Sequence, residues 1–349
     1  VNAQPLPPPK SYVLVDVDTG AVIAQQDARS LRPPASTIKL LTALIASERL
    51  TSTDLIPITP VAEGMPARKI NVKANQVWKY DDLLHSMLMV SANDAAVALA
   101  EKVGGGSVDG YVAIANATVE RLGLADHPIL NDPAGLDDEF SNKGGTRISA
   151  RDLAIVARAV MARPDLMQVI QTRHFEFTGG DGLPHELPNH NLFLDLYPGA
   201  NGLKTGTTDL AGHTFVGSAT RDGRTMLAVV FDAVDSYGSA GVLLDQGFAT
   251  PVSAEAGLDH LPDVVPDASV PPAPATAPSA VAAVAHTKGS SIFDSAAFAF
   301  VLLVIGLVPL IALRRRVVAR SLVRAQRRTP PDDDDEFLEF AVSNRDAPY

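Results

Sequence analysis

The strongest constraint on the fold of this chain is the order in which two hydrophobic periods run along it. Residues 11–26, SYVLVDVDTGAVIAQQ, set two β-branched apolar runs on either side of Asp-Thr-Gly, the pattern of an antiparallel hairpin. From about residue 36 to residue 172 the spacing turns helical, in YDDLLHSMLMV, DAAVALAEKV, VDGYVAIANATVERLG and SARDLAIVARAVMAR. The pattern then returns to strands, GLKTGTT, HTFVGSATRDG and RTMLAVVFDA, before a last helix, SYGSAGVLLDQGFA. Strands at both ends must meet to close one sheet, so the helical middle is an insertion. This predicts an α+β, layered architecture: an antiparallel sheet with an inserted, mostly helical lobe.

Past residue 250 the character of the chain changes. Residues 1–10 form a short N-terminal segment, 11–250 the folded domain, and 251–294 a linker rich in proline, alanine and serine with no useful periodicity. Residues 295–313, SAAFAFVLLVIGLVPLIAL, are uncharged for 19 positions, about 28 Å as a helix at ~1.5 Å per residue. Arg314, Arg315, Arg316, Arg320, Arg324, Arg327 and Arg328 come next, and then the acidic run TPPDDDDEFLEF, which reads as solvated tail. The expectation is a single membrane-spanning helix with the arginine side (314–349) cytoplasmic and residues 1–294 outside. Export would need a leader, so the start at Val1 predicts a signal segment already removed or a shortened chain.

The formal net charge of -11 argues against nonspecific binding of nucleic acid, and the absence of cysteine excludes disulfides, zinc–thiolate sites and cysteine nucleophiles. The chemistry that remains centres on three short motifs. Ser36 and Lys39 stand three residues apart where PPASTIKLLTAL begins a helix, so both heads can point into one cavity. Serine needs a base, and a lysine serves only when neutral, which means lowering its pKa from ~10.4 to about 7–8. Burial, a neighbouring cation and the positive end of a helix all act in that direction. The plain alternative is Ser36 as a helix cap with Lys39 at the surface. Ser91, Ala92 and Asn93 lie in an interhelical turn, with capping of the next helix as their plain alternative. Lys204, Thr205, Gly206 and Thr207 open a strand on which a lysine would ordinarily be exposed, and Gly206 would let a substrate backbone lie close.

Together, Ser-x-x-Lys, Ser-x-Asn and Lys-Thr-Gly, each in its expected element, make this sequence similar to penicillin-binding proteins. With SYVLVDVDTGAVI, NDPAGLDD, ISARDLAIVARAV and NGLKTGTTDLAGHTFVGSATRDG, residues 10–250 resemble the D-alanyl-D-alanine carboxypeptidases, low-molecular-mass enzymes that trim cell-wall stem peptides. The resemblance implies a five-stranded antiparallel sheet beside a helical lobe, of the β-lactamase and DD-peptidase type, with the site between them. It implies Ser36 as nucleophile and Lys39 as its base, and Ser91 as a relay to the leaving amine. Asn93 would hold the substrate amide or, with Lys39, orient the hydroxyls. Lys204 and the hydroxyls of Thr205 and Thr207 would meet the terminal carboxylate, and the N–H groups of Ser36 and Thr207 would form the oxyanion hole. The implied partners are peptidoglycan stem peptides and, as inhibitors, β-lactams; no metal or organic cofactor is implied. Members often carry a β-rich domain after the catalytic part and an amphipathic C-terminal anchor, neither of which is legible here.

Two other functions share these residues. A serine β-lactamase would need a group that activates water for fast deacylation, and Glu139 is in the right region but lacks the surrounding arrangement. A non-catalytic sensor or scaffold would be expected to have lost part of the motif set. Four decoys have simpler explanations. Asp18-Thr19-Gly20 lacks the second copy an aspartic protease needs and suits a hairpin turn. HELPNH (185–190) has the wrong spacing for a zinc helix. His213 reads as a packing or surface residue. Gly104–Gly106 lacks the Gly-Lys-Ser/Thr of a phosphate loop.

Overall fold

The computed structural model describes residues 7–264, Ala67 and Asn142 apart. β1 (Ser11–Asp16) and β2 (Val22–Gln26) form the N-terminal hairpin, and β3 (Ala200–Thr208), β4 (Gly212–Arg221) and β5 (Arg224–Ala233) form a C-terminal meander. The five join in the order β2-β1-β5-β4-β3, every pair antiparallel. The two ends of the fold therefore meet at the β1–β5 pair, where Val13 faces Val229.

The sheet is covered on both faces, and the two-residue period sorts its side chains between two cores. Val13, Val15, Val216, Leu227, Val229 and Phe231 pack into the helical lobe. Their neighbours Leu14, Phe215, Met226, Ala228 and Val230 pack against α7 (Ser236–Ala249) through Ala240, Leu243 and Leu244. Double coverage explains why the strands read as near-continuous apolar runs rather than as strict alternation.

The lobe contains α1 (Lys39–Ser47), α2 (Tyr80–Met89), α3 (Asn93–Val103), α4 (Val108–Leu122), α5 (Ala150–Met161) and α6 (Pro164–Gln171). α1 is its central helix, with all nine residues buried, so its polar groups must be satisfied inside. Thr42 does so with the Tyr111 hydroxyl at 2.8 Å and the Pro133 carbonyl at 2.7 Å. α5 packs on β1 and β5 and joins the lobe to the sheet.

One expectation changes here. The folded body does not stop at residue 250: Leu261 is buried and donates its N–H to the Gly20 carbonyl, Val22 N–H reaches the Asp259 carbonyl, and Arg151 pairs with Asp259. Residues 251–264 have no strand or helix period, and their docking uses the Leu261 side chain together with backbone groups and ion pairs that periodicity does not show. HELPNH begins on a two-stranded ribbon, His174–Thr178 with Pro184–Pro188, and runs past its end at Asn189 and His190; His185 packs edge-on against Trp78. Asp18-Thr19-Gly20 is the β1–β2 turn, with Gly20 at φ +77° and the Thr19 hydroxyl donating to Glu255. Gly104 ends α3 where a Cβ would stand 2.2 Å from the Ser107 carbonyl oxygen, a steric need unrelated to phosphate. The remainder of the expected linker, the span at 295–313 and the tail at 314–349 lie outside the described residues. No helix among the described residues is long and apolar enough to cross a membrane.

Candidate active site

Ser36 is not the helix cap its position suggested. Residues Ala35–Ile38 form a single 3-10 turn, entered from Pro34 without any side-chain cap and leading into α1 at Lys39. Ala35 takes a left-handed φ of +47°, unusual for an L residue and costing roughly 1 kcal/mol or more. Three contacts hold it so. Thr37 and Thr214 hydroxyls both donate to the Pro34 carbonyl, at 2.6 and 2.9 Å, and Gly135 packs against Ala35. A Cβ on Gly135, itself at φ +81°, would fall 1.8 Å from the Ala35 carbonyl oxygen. Gly135→Ala is therefore expected to cost about 2 kcal/mol or more and to slow any acylation of Ser36; a thermal melt and an acylation rate check it. Ser36 itself is only half-buried, so its hydroxyl can be reached from solvent.

Lys39 is fully buried, and Nζ has three neighbours: Ser36 Oγ at 2.7 Å, Asn93 Oδ1 at 2.8 Å and the Ala134 carbonyl at 2.6 Å. Burial lowers its pKa to about 7; Asp132 and Asp94 oppose the shift and the Arg68 guanidinium supports it. A neutral amine has two N–H bonds and one lone pair. Asn93 Oδ1 and the Ala134 carbonyl can only accept, so they take both protons, and the lone pair faces Ser36. In that state the Ser36 hydroxyl donates to Lys39. The Asn93 amide is held in this sense because its Nδ2 donates to the Pro66 carbonyl at 3.2 Å.

Neither Asn93 nor Ser91 caps a helix: α3 begins after Ala92 with no side-chain cap. Ser91 sits in the turn before it at φ +64°, 5% exposed, a strained non-glycine position of the kind that clusters at functional sites. The three hydrogen-bond positions of Lys39 are filled by other groups, so Ser91 is not bonded to the lysine here. Lys204 is 2% exposed, not the surface residue of an ordinary edge strand. Burial, Lys39 and Arg68 hold its pKa well below the usual ammonium range, and it donates to the Thr205 carbonyl at 3.0 Å. Thr205 is half-buried and Thr207 exposed. Gly206 has a reason beyond access for a substrate: a Cβ there would stand 2.4 Å from Thr214 Oγ1 and 3.0 Å from Ser36 N, so glycine lets β3 pass against the 3-10 turn.

Several residues of the site were not legible in sequence. Asp132 is buried, and its Oδ1 accepts from the N–H groups of Ala134, Gly135 and Leu136, shaping the loop that presents the Ala134 carbonyl to Lys39. Asp followed by Pro-Ala-Gly is a turn signal that could have suggested it. Asp137 accepts from the Thr208 hydroxyl at 2.6 Å and Leu210 N–H at 3.1 Å, tying the same loop to the end of β3. His213 is neither simple packing nor free surface: it pairs across the strands with Thr207, Nδ1 lying 3.0 Å from the hydroxyl. Asp94 accepts from Ile70 and Val72 N–H and fixes the loop carrying Arg68. Glu139 is exposed on a 3-10 turn, Asp138–Phe140. No cluster of His, Asp or Glu able to hold a metal occurs among the described residues.

With this geometry in view, comparison with known proteins is specific. The family model described as D-alanyl-D-alanine carboxypeptidase, peptidase S11, matches residues 3–235. The carboxypeptidase DacB2 of Mycobacterium tuberculosis is 36% identical over 261 residues, covering 72% of this chain and 87% of that protein. A solved D-alanyl-D-alanine carboxypeptidase from Mycobacterium tuberculosis H37Rv has a TM-score of 0.66 at 32% identity, over 72% of this chain and 96% of that one. Penicillin-binding protein D2 of Listeria monocytogenes, solved in its ampicillin-bound form, gives 0.59 at 25% identity, over 70% of this chain and 100% of that one. The chain spans 57% and 55% of two further curated carboxypeptidases at 30% identity. The chain belongs to the peptidase S11 family of D-alanyl-D-alanine carboxypeptidases.

Proposed function

We propose that the protein is a serine-type D-Ala-D-Ala carboxypeptidase, removing the terminal D-alanine of peptidoglycan stem peptides through an acyl-serine intermediate that penicillins also form. The observation that carries this reading is the buried Lys39 Nζ standing 2.7 Å from Ser36 Oγ with two obligate acceptors at its other positions, so that the neutral amine turns its lone pair to the hydroxyl. Ser36 Oγ attacks the carbonyl carbon of the penultimate D-alanine while Lys39 takes its proton. Collapse of the tetrahedral species breaks the peptide bond, and the departing amine takes a proton, in this reading by way of Ser91. Water then hydrolyses the ester and restores Ser36. Lys204, Thr205 and Thr207 face the terminal carboxylate. A carboxylate arriving there favours the charged form of Lys204, and a charged Lys204 in turn disfavours a proton on Lys39. The ampicillin-bound relative supports acylation by β-lactams. Nothing in the placement of Glu139 favours rapid deacylation, so the adduct is read as long-lived. The same reading includes a membrane anchor at 295–313 with the catalytic domain outside the cytoplasm, supported by the uncharged stretch and its arginine flank.

The test is release of D-alanine from diacetyl-L-lysyl-D-alanyl-D-alanine as a function of pH. The base acts only when deprotonated, so the rate should rise through about 7 and level off above it; at pH 6 it should be about a tenth of the plateau. No release, or a rate unchanged between pH 6 and 8, would sink the reading.

A further inference from the structure

The carboxylates nearest the catalytic lysine are already engaged. Asp132 and Asp94 are both committed to backbone N–H groups. Near them stand the two buried lysines, Lys39 and Lys204, both with lowered pKa values, and the arginine Arg68. Arg68 differs from the other arginines among the described residues. Each of those pairs with an aspartate or glutamate, except Arg158, which donates to the carbonyls of Val17 and Pro262. Arg68 has no carboxylate partner among the described residues. Its guanidinium is exposed and, among the described residues, meets the His190 ring, with 3.4 Å to Nδ1.

This charge is held in place. The Arg68 carbonyl accepts from Asn93 N–H at 2.7 Å, and the Asn93 side chain binds the Pro66 carbonyl two residues earlier. The residue that orients Lys39 thus also anchors the loop bearing the guanidinium. His190, the group Arg68 touches, lies upstream of β3, the strand that carries Lys204, and burial, with smaller effects of Arg68 and Lys204, lowers its pKa. Lys204 offers a carboxylate a single buried point charge, whereas an exposed guanidinium offers a fork suited to it.

Resting on the acyl-serine reading, we propose that Arg68 is a specificity residue that binds the carboxylate of the leaving residue at the mouth of the cleft, together with Lys204. It makes the enzyme selective for peptides that end there, since an amide or a continuing chain has no charge to offer.

The experiment compares acylation of the full-length chain by benzylpenicillin, whose carboxylate stands in for the terminal one, and by its methyl ester, following the Ser36 adduct by intact mass. Arg68→Gln should slow benzylpenicillin about 10- to 100-fold and the ester less than about twofold, with Arg68→Lys between. Equal slowing on both probes, or no slowing on either, overturns the role of Arg68. Absence of any wild-type adduct instead overturns the acyl-serine reading on which it rests.

Discussion

Ser36→Ala is expected to abolish covalent labelling by penicillin and release of D-alanine together, leaving a folded protein. The Ser36 hydroxyl makes its hydrogen bond to Lys39 and none to the backbone, so its loss removes one partner from a group with two others. The cost to stability should be only about 1 kcal/mol. The 3-10 turn is held by Thr37, Thr214 and Gly135, not by Ser36. Intact mass after penicillin, beside a thermal melt, checks both halves. An adduct surviving in the alanine variant would show that another residue is the nucleophile.

Lys39→Met should have the second-largest effect, lowering acylation by roughly 10²–10⁴-fold through loss of the general base at nearly constant side-chain volume. Its stability has a definite pH signature. The folded pKa of about 7 lies below the unfolded value near 10.4, so between these the unfolded chain binds more protons. Wild-type stability gains from this group as pH rises from about 7 to about 10.4, by about 5 kcal/mol, and gains nothing further outside that window. Methionine has no proton to lose. The variant leaves Asn93 Oδ1 and the Ala134 carbonyl without a donor, but it should fare best against wild type at pH 7 and lose ground by pH 9.5. Paired melts at the two values measure this; a difference independent of pH would mean that Lys39 is not held neutral.

Much of this site could be read before any coordinates, for local reasons. Ser36 and Lys39 are three residues apart, so one turn of either helix type brings their heads together. The strands were legible because Leu227, Val229 and Phe231 alternate with Met226, Ala228 and Val230, even though both sets are buried. The rest was hidden for reasons equally physical. Asp132 looks like any turn aspartate until three backbone N–H groups converge on it and turn the Ala134 carbonyl toward Lys39. Arg68 lies in a loop without periodicity, and its lack of an acidic partner among the described residues emerges only when the ion pairs of the other arginines are laid out in space. His213 shares its spacing with any strand residue; its meeting with Thr207 depends on the register of β3 against β4.

By itself the sequence determined which elements form and which side chains have the chemistry to act, because hydrophobic period and short-range spacing are properties of the chain alone. The tertiary structure decided that Lys39 is dry, which acceptors take its protons and where its lone pair points. Those depend on residues 54 and 95 positions away along the chain, Asn93 and Ala134, brought within hydrogen-bond distance by packing. A lysine's basicity is set by what surrounds it in space, and no local pattern records that.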